Sequence, residues 1–125
     1  MLRVLYPFSG DSVGGAQISS VELISWLPNY DIEPVIFLHS NGPLANYLQS
    51  RHIPFISGEK IPLVQPGSVV FEIVQILSSA LSVSKFLAKN KIDIVHTNDG
   101  KMHKTWLLGS KIAKKKFVWH QRSYD

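Results

Sequence analysis

The 125-residue chain has no cysteine, which excludes disulfides and thiolate-ligated metals and leaves the redox compartment open. Charge is sparse, at 18% of residues against 45% hydrophobic, a balance ordinary for a globular domain and too apolar for a disordered one. Unbroken apolar runs long enough to cross a membrane are also missing. The most apolar stretch, 69–84, is interrupted by Glu72, Gln75 and four serines, and reads as a buried helix rather than a membrane span. Pro7 breaks the first apolar segment too early for a signal peptide. Internal repeats, low-complexity tracts and nucleic-acid-binding signatures are absent, so no nucleic-acid partner is expected.

Basic residues are scarce in one part of the chain only. Residues 1–84 hold three basic and six acidic side chains, whereas residues 85–125 hold ten and three. A net +7 segment following a net −3 segment can mean an anionic partner, such as nucleic acid, a membrane surface or a phosphorylated substrate; a solvated surface is the plainer reading, and the favoured one for Lys111 and Lys114 to Lys116.

The feature around which the rest is arranged is a small-residue loop containing Ser9, Gly10, Ser12, Gly14 and Gly15. It follows a short strand at residues 3–6 and opens a helix with Ile18, Val21, Ile24 and Leu27 on one stripe, ended by Pro28. A strand feeding a glycine turn at a helix N-terminus makes an anion site, because the first helical N–H groups lack internal acceptors. The spacing is not GxGxxG and no GK[ST] follows, which argues against a classical NAD site and a P-loop.

Downstream, apolar and amphipathic segments alternate. Strands are expected at 34–38, 53–56, 92–96 and 117–120, and helices at 43–51, 69–90 and 102–113. In the long helix, Phe71, Val74, Leu77, Leu81 and Leu87 are the expected inward positions. The segment 57–68, with Pro62, Pro66 and Gly67, is the expected mobile loop. Strands apolar throughout and separated by helices predict an α/β, doubly wound, Rossmann-like parallel sheet in the order 3-2-1-4-5. Ligands of such sheets bind at the strand C-termini where the order reverses, here between the glycine loop and residues 96–100. His39, His96 and His120 fall at expected strand C-termini on that edge; His52 and His103 do not.

Three short motifs carry a resemblance. PFSGDSVGGAQ opens the first helix, DIVHTND follows about 80 residues later, and VWHQR follows the next helix. In order and spacing this resembles the N-terminal domain of family 4 glycosyltransferases, retaining enzymes built from two Rossmann-like halves in the GT-B arrangement. The resemblance spans residues 1–125. It implies the acceptor-side half, shortened after its fifth strand and without the donor-binding C-terminal half, and therefore inactive alone. It implies that Gly14, Gly15 and Ala16 bind the donor diphosphate. Ser9, Asp11, Gln17, His96, Asn98 and Arg122 would line the acceptor side, and His120 would stand at the reacting sugar as the catalytic candidate. Phe8 replaces the tyrosine that members often carry.

The implied reaction transfers a hexose from a nucleotide-sugar to a phosphorylated, lipid-linked or cell-surface glycan acceptor, in the cytoplasm and peripherally at the inner face of the membrane. It uses no cofactor and no metal, in keeping with the lack of a D-x-D motif. A non-catalytic α/β binding module and a GT-B-like nucleotide-sugar epimerase are the alternatives. An edge strand left uncovered would favour self-association.

Overall fold

The computed structural model describes residues 1–57 and 61–120. Its elements, in chain order, are β1 (Leu2–Phe8), α1 (Gly15–Trp26), β2 (Ile32–Leu38), α2 (Pro43–Ser50), α3 (Val69–Lys89), β3 (Ile94–Thr97), α4 (Gly100–Ile112) and β4 (Lys116–Trp119). Pro28 ends α1 as expected; the chain turns through one 3-10 turn, Leu27–Tyr30, and a left-handed Asp31. Pro43 sits in the first turn of α2, where its missing N–H costs nothing.

The sheet is parallel and ordered β2-β1-β3-β4. It has four strands where the sequence predicts five. Residues 53–56 run beside β2 but make only one parallel bridge, between Phe37 and Ile56. The Ile56 N–H donates to Ile36 O at 2.8 Å and the Leu38 N–H to Ile56 O at 2.9 Å. Pro54 has no N–H for the next rung, so the ladder stops there. With Ile56 outside β2, the expected order is otherwise kept.

Alternate side chains of β1 and β2 feed two cores, one on each face. Val4, Tyr6, Phe8, Ile36 and Leu38 pack under α1 and α2. Leu5, Val35 and Phe37 pack under α3 and α4, around Trp106, Phe86 and Leu87. Arg3 ties the lower edge together: its backbone N–H donates to Asp93, its Nε to Asn90 O, and its guanidinium pairs with Glu33 at 2.6 Å.

Two expectations fail on the second face. Of the predicted inward positions of α3 only Leu87 is buried; Phe71, Val74, Leu77 and Leu81 are exposed. The inner face is instead Ser79, Ala80, Val83, Phe86 and Leu87. Small residues let α3 approach α4 closely: a Cβ on Gly109 would lie 2.4 Å from Val83 Cγ1 and 2.9 Å from Ala80 O. A helix at this spacing cannot present its bulkiest stripe to its neighbour.

The predicted mobile loop is, from residue 61 on, pinned. Ile61 and Val64 are buried, the Val64 N–H donates to Thr105 Oγ1, and Gln75 clamps Gln65 by accepting from its N–H and donating to its carbonyl. Prolines in this segment reflect a fixed path rather than freedom.

Candidate functional site

The site is built where β1 and β3 end side by side and the chain leaves them in opposite directions. The β1–β2 register continues past the strands: the His39 N–H donates to Phe8 O and the Ser40 N–H to Ser9 O, each at 3.0 Å, and Ser40 Oγ reinforces the second at 2.8 Å. Between them Gly10 turns at φ +89°, and a Cβ there would lie 2.3 Å from Ser40 O. Gly10 is therefore the position where only glycine fits. Ser9 Oγ donates to Asp11 at 2.7 Å, so these two predicted acceptor residues bond each other in the loop and line neither cleft described below.

Gly14 is the extended residue before α1, and its N–H donates to Gln17 Oε1 at 2.9 Å while Gln17 Nε2 donates to Ser12 Oγ at 3.3 Å. Gln17 thus caps the helix by the one half of a capping box that needs no side chain on Gly14. Gly15 has no positive φ, and a Cβ on it would meet nothing within 4 Å. It faces open space. The N–H groups of the first turn beyond Gly14 have no acceptor within the helix.

Opposite this turn stands the end of β3. Ala16, Gln17, Phe8, Ser20, Asn98 and Asp99 enclose a cavity of about 50 Å³. A second cleft shares Ser20 and Asn98 and adds Tyr6, Leu23, Ile24, His96 and His120. The His96 ring lies 5.0 Å from Tyr6 and 5.9 Å from His120, centroid to centroid. Burial pushes the Tyr6 phenol pKa up. His120 is exposed, its N–H donating to Thr97 O at 2.9 Å. The structure therefore brings together Ala16, Gln17, Asn98, His96 and His120; Gly14 and Gly15 precede Ala16 in the chain but line neither cleft, and Arg122 lies outside the described residues.

Three residues of this edge escape sequence reasoning. Ser20 is buried in α1, its Oγ donating to Ala16 O. Asp99 caps α4 by accepting from the Met102 N–H at 3.0 Å. His103, on the first turns of α4, is buried against the Trp119 indole at 4.1 Å and hydrogen-bonds Thr97 Oγ1 through Nδ1. Burial lowers its pKa, partly opposed by Asp99. The Asp99-Gly100 pair ahead of an apolar stripe was the available signal for this helix start.

His39 belongs to the scaffold. Its Nδ1 donates to Ile61 O at 2.8 Å and its Nε2 accepts from Trp106 Nε1 at 3.0 Å, which defines the neutral tautomer. Burial accordingly holds its pKa low, against the opposing pull of the Ile61 hydrogen bond and Asp99. The roomiest cavity described, about 330 Å³, lies at the opposite edge among Val21, Ile24, Pro34, Ile53 and Pro54. Its lining is mostly apolar and shares only Ile24 with the crevice, where Asn98, His96 and His120 converge, so the small crevice is the better candidate.

No family model matches this chain, and no curated protein matches it in sequence. Solved structures do match in shape. MurG from Acinetobacter baumannii superimposes with a TM-score of 0.70 at 18% identity, over 97% of this chain and 35% of MurG. The fold is that of one Rossmann-like half of the GT-B arrangement. A glycosyltransferase from Rickettsia africae matches with a TM-score of 0.69 at 22% identity, over 94% of this chain and 29% of that one. Anabaena HepE, solved with UDP and glucose, matches with a TM-score of 0.62 at 18% identity, over 96% and 30%. The chain thus spans about a third of the length of the structures it matches. In this fold the glycine loop, the α1 N-terminus and the β3 end form the crevice at which the strand order reverses.

Proposed function

We propose that this chain is the acceptor-side half of a retaining, family 4 glycosyltransferase. It moves a hexose from a nucleotide-sugar to a phosphorylated, lipid-linked or cell-surface glycan acceptor, at the cytoplasmic face of a membrane. The observation that carries the reading is the open first turn of α1, with Gly15 unobstructed and Asn98, His96 and His120 grouped beside it. Support comes from the GT-B fold and from HepE, whose structure holds UDP and glucose.

In this reading the Gly15, Ala16 and Gln17 N–H groups face the donor diphosphate. Their partial positive charge stabilises the leaving group as negative charge develops, without a metal. His120 lies against the reacting sugar. His96 and Asn98 orient the acceptor, and Ser9, Asp11 and Arg122 contact it farther out. Among the described residues β4 is an edge strand, and in this reading the half would self-associate through it.

The test is sugar transfer from a labelled nucleotide-sugar, with the donor-binding half present. Gly15→Val should abolish transfer while the melting temperature barely moves, because a Cβ at this position meets no atom within 4 Å. His120→Ala should cut turnover and nearly keep nucleotide affinity. Retention of the anomeric configuration, read by NMR of the product, checks the stereochemistry. Wild-type transfer by Gly15→Val would reduce the loop to a turn and the reading to fold resemblance.

A further inference from the structure

His103 fastens the first turns of α4 to the two strands that end at the crevice. Its backbone N–H donates to Asp99 O at 3.0 Å. Its Nδ1 hydrogen-bonds Thr97 Oγ1 on β3, and its ring lies against the Trp119 indole of β4, with centroids 4.1 Å apart and planes tilted by 36°. His103 and Thr97 are both buried, at 3% and 0% exposure.

A histidine is an unfavourable choice here unless the bond to Thr97 matters. Its Nε2 is buried with no hydrogen-bond partner among the described residues, and a polar atom in that state destabilises the fold. A phenylalanine would present a ring to Trp119 without burying a nitrogen. What the imidazole adds over a phenyl ring is the contact from Nδ1 to Thr97.

That contact reaches His120 by a short route. Thr97 pairs with Trp119 in the β3–β4 register, and its carbonyl accepts the His120 N–H at 2.9 Å. Thr97 is thus held to α4 by its side chain and to His120 by its backbone. Successive residues of a strand point to opposite faces. Phe117 packs against the α3–α4 core, so Trp119 lies on that face, over His103. His120 lies on the other, its ring 5.9 Å from His96. Among the described residues β4 has a strand on one side only, and His120 is exposed. The direction of its ring is therefore set by the backbone that carries it, and the Trp119 and Thr97 contacts fix that backbone.

We infer that His103 is a positioning residue: through Thr97 and Trp119 it holds the end of β4 so that the His120 ring stays beside His96, facing the crevice. The catalytic consequence rests on the transferase reading, in which His120 stands at the reacting sugar; the placement of the ring does not.

The test separates the ring contact from the hydrogen bond. His103→Phe keeps an aromatic ring against Trp119 and deletes the bond to Thr97, whereas His103→Asn keeps an amide at the place of Nδ1 and deletes the outer part of the ring. In the chain without substrate, NMR should show a nuclear Overhauser effect between the His96 and His120 rings, lost in His103→Phe and restored in His103→Asn. With the donor-binding half present, kcat for sugar transfer should fall by about tenfold or more in His103→Phe, since a displacement of about 1 Å suffices for such a loss. KM for the nucleotide-sugar should stay within about twofold, because the displaced group acts at the sugar and not at the diphosphate. His103→Asn should recover most of kcat. Should His103→Phe fail to fold, Thr97→Val deletes the same bond from its other end and should give the same losses. A folded His103→Phe or Thr97→Val with the ring–ring effect intact overturns the proposal, as does a His103→Asn protein as defective as His103→Phe. Loss of that effect in His103→Phe, with no transfer even by the wild type, would sink the transferase reading and leave positioning standing. Transfer by the wild type that His103→Phe matches, with the effect intact, would do the reverse.

Discussion

Alanine at Gly10 and alanine at Gly15 should move stability in opposite directions, although both glycines belong to one loop. At Gly10 the backbone is left-handed, φ +89°, which costs an L-residue about 1–2 kcal/mol. The new Cβ would also sit 2.3 Å from the Ser40 carbonyl oxygen. That atom is backbone, held by the Ser40 N–H and Oγ bonds to Ser9 O, so relief requires prising the β1 and β2 loops apart. Overpacking of this kind costs about 1–3 kcal/mol. The sum, about 2–5 kcal/mol, is a large share of the ~5–15 kcal/mol typical of a domain. At roughly 4 °C per kcal/mol for a chain of this size, the melting temperature should drop by about 8–20 °C. At Gly15 nothing lies within 4 Å and φ is not positive. Alanine there should stabilise by about 0.4–1 kcal/mol, mainly by narrowing the unfolded ensemble. Thermal melts followed by circular dichroism on both variants give the comparison. A Gly10→Ala protein melting within about 2 °C of wild type would refute the close approach of the two loops.

Other perturbations probe the remaining packing. His39 and His103 both have pKa values lowered from 6.5 by burial. The folded state favours their neutral forms, so their contribution is complete above pH 6.5 and is lost as pH falls through the folded values. The melting temperature should decline on acidification below that point, with a shallower decline in His39→Gln; a flat profile would contradict the buried neutral assignment. Trp106 is fully buried among Phe37, Phe86 and His39, and Trp106→Ala should cost about 3–5 kcal/mol in urea titrations. Gly109→Ala should destabilise by about 1–3 kcal/mol through its clash with Val83. Val83→Ala should recover part of that loss in the double variant; strict additivity would mean the two helices do not touch there.

Much of the frame was readable along the chain because it is local. Pro28 and Pro43 mark helix boundaries through their fixed φ and missing N–H, and both act where they stand in the sequence. The alternation of apolar strands with helices, together with right-handed crossovers, dictates a parallel sheet reversing at β1, and the order follows. The glycine loop was legible as a loop opening a helix, but not which glycine does what. Gly10 is held by the Ser40 backbone, thirty residues away, and no local pattern records that contact.

Tertiary structure decided the rest for the same reason. Both faces of α3 are apolar, and periodicity favours the bulkier stripe, Val74, Leu77 and Leu81. What selects the other stripe is Gly109 on α4, which admits Ala80 and Val83 at a distance that Leu77 could not occupy. The prolines at 62 and 66 suggested freedom; buried Ile61 and Val64, Thr105 and Gln75 remove it. His103 joins the crevice edge only because α4 begins there and β4 brings Trp119 against its ring. Local residues set where elements start and stop, whereas the choice between two apolar faces depends on which partner surface allows the closer approach, and that surface is assembled from distant parts of the chain.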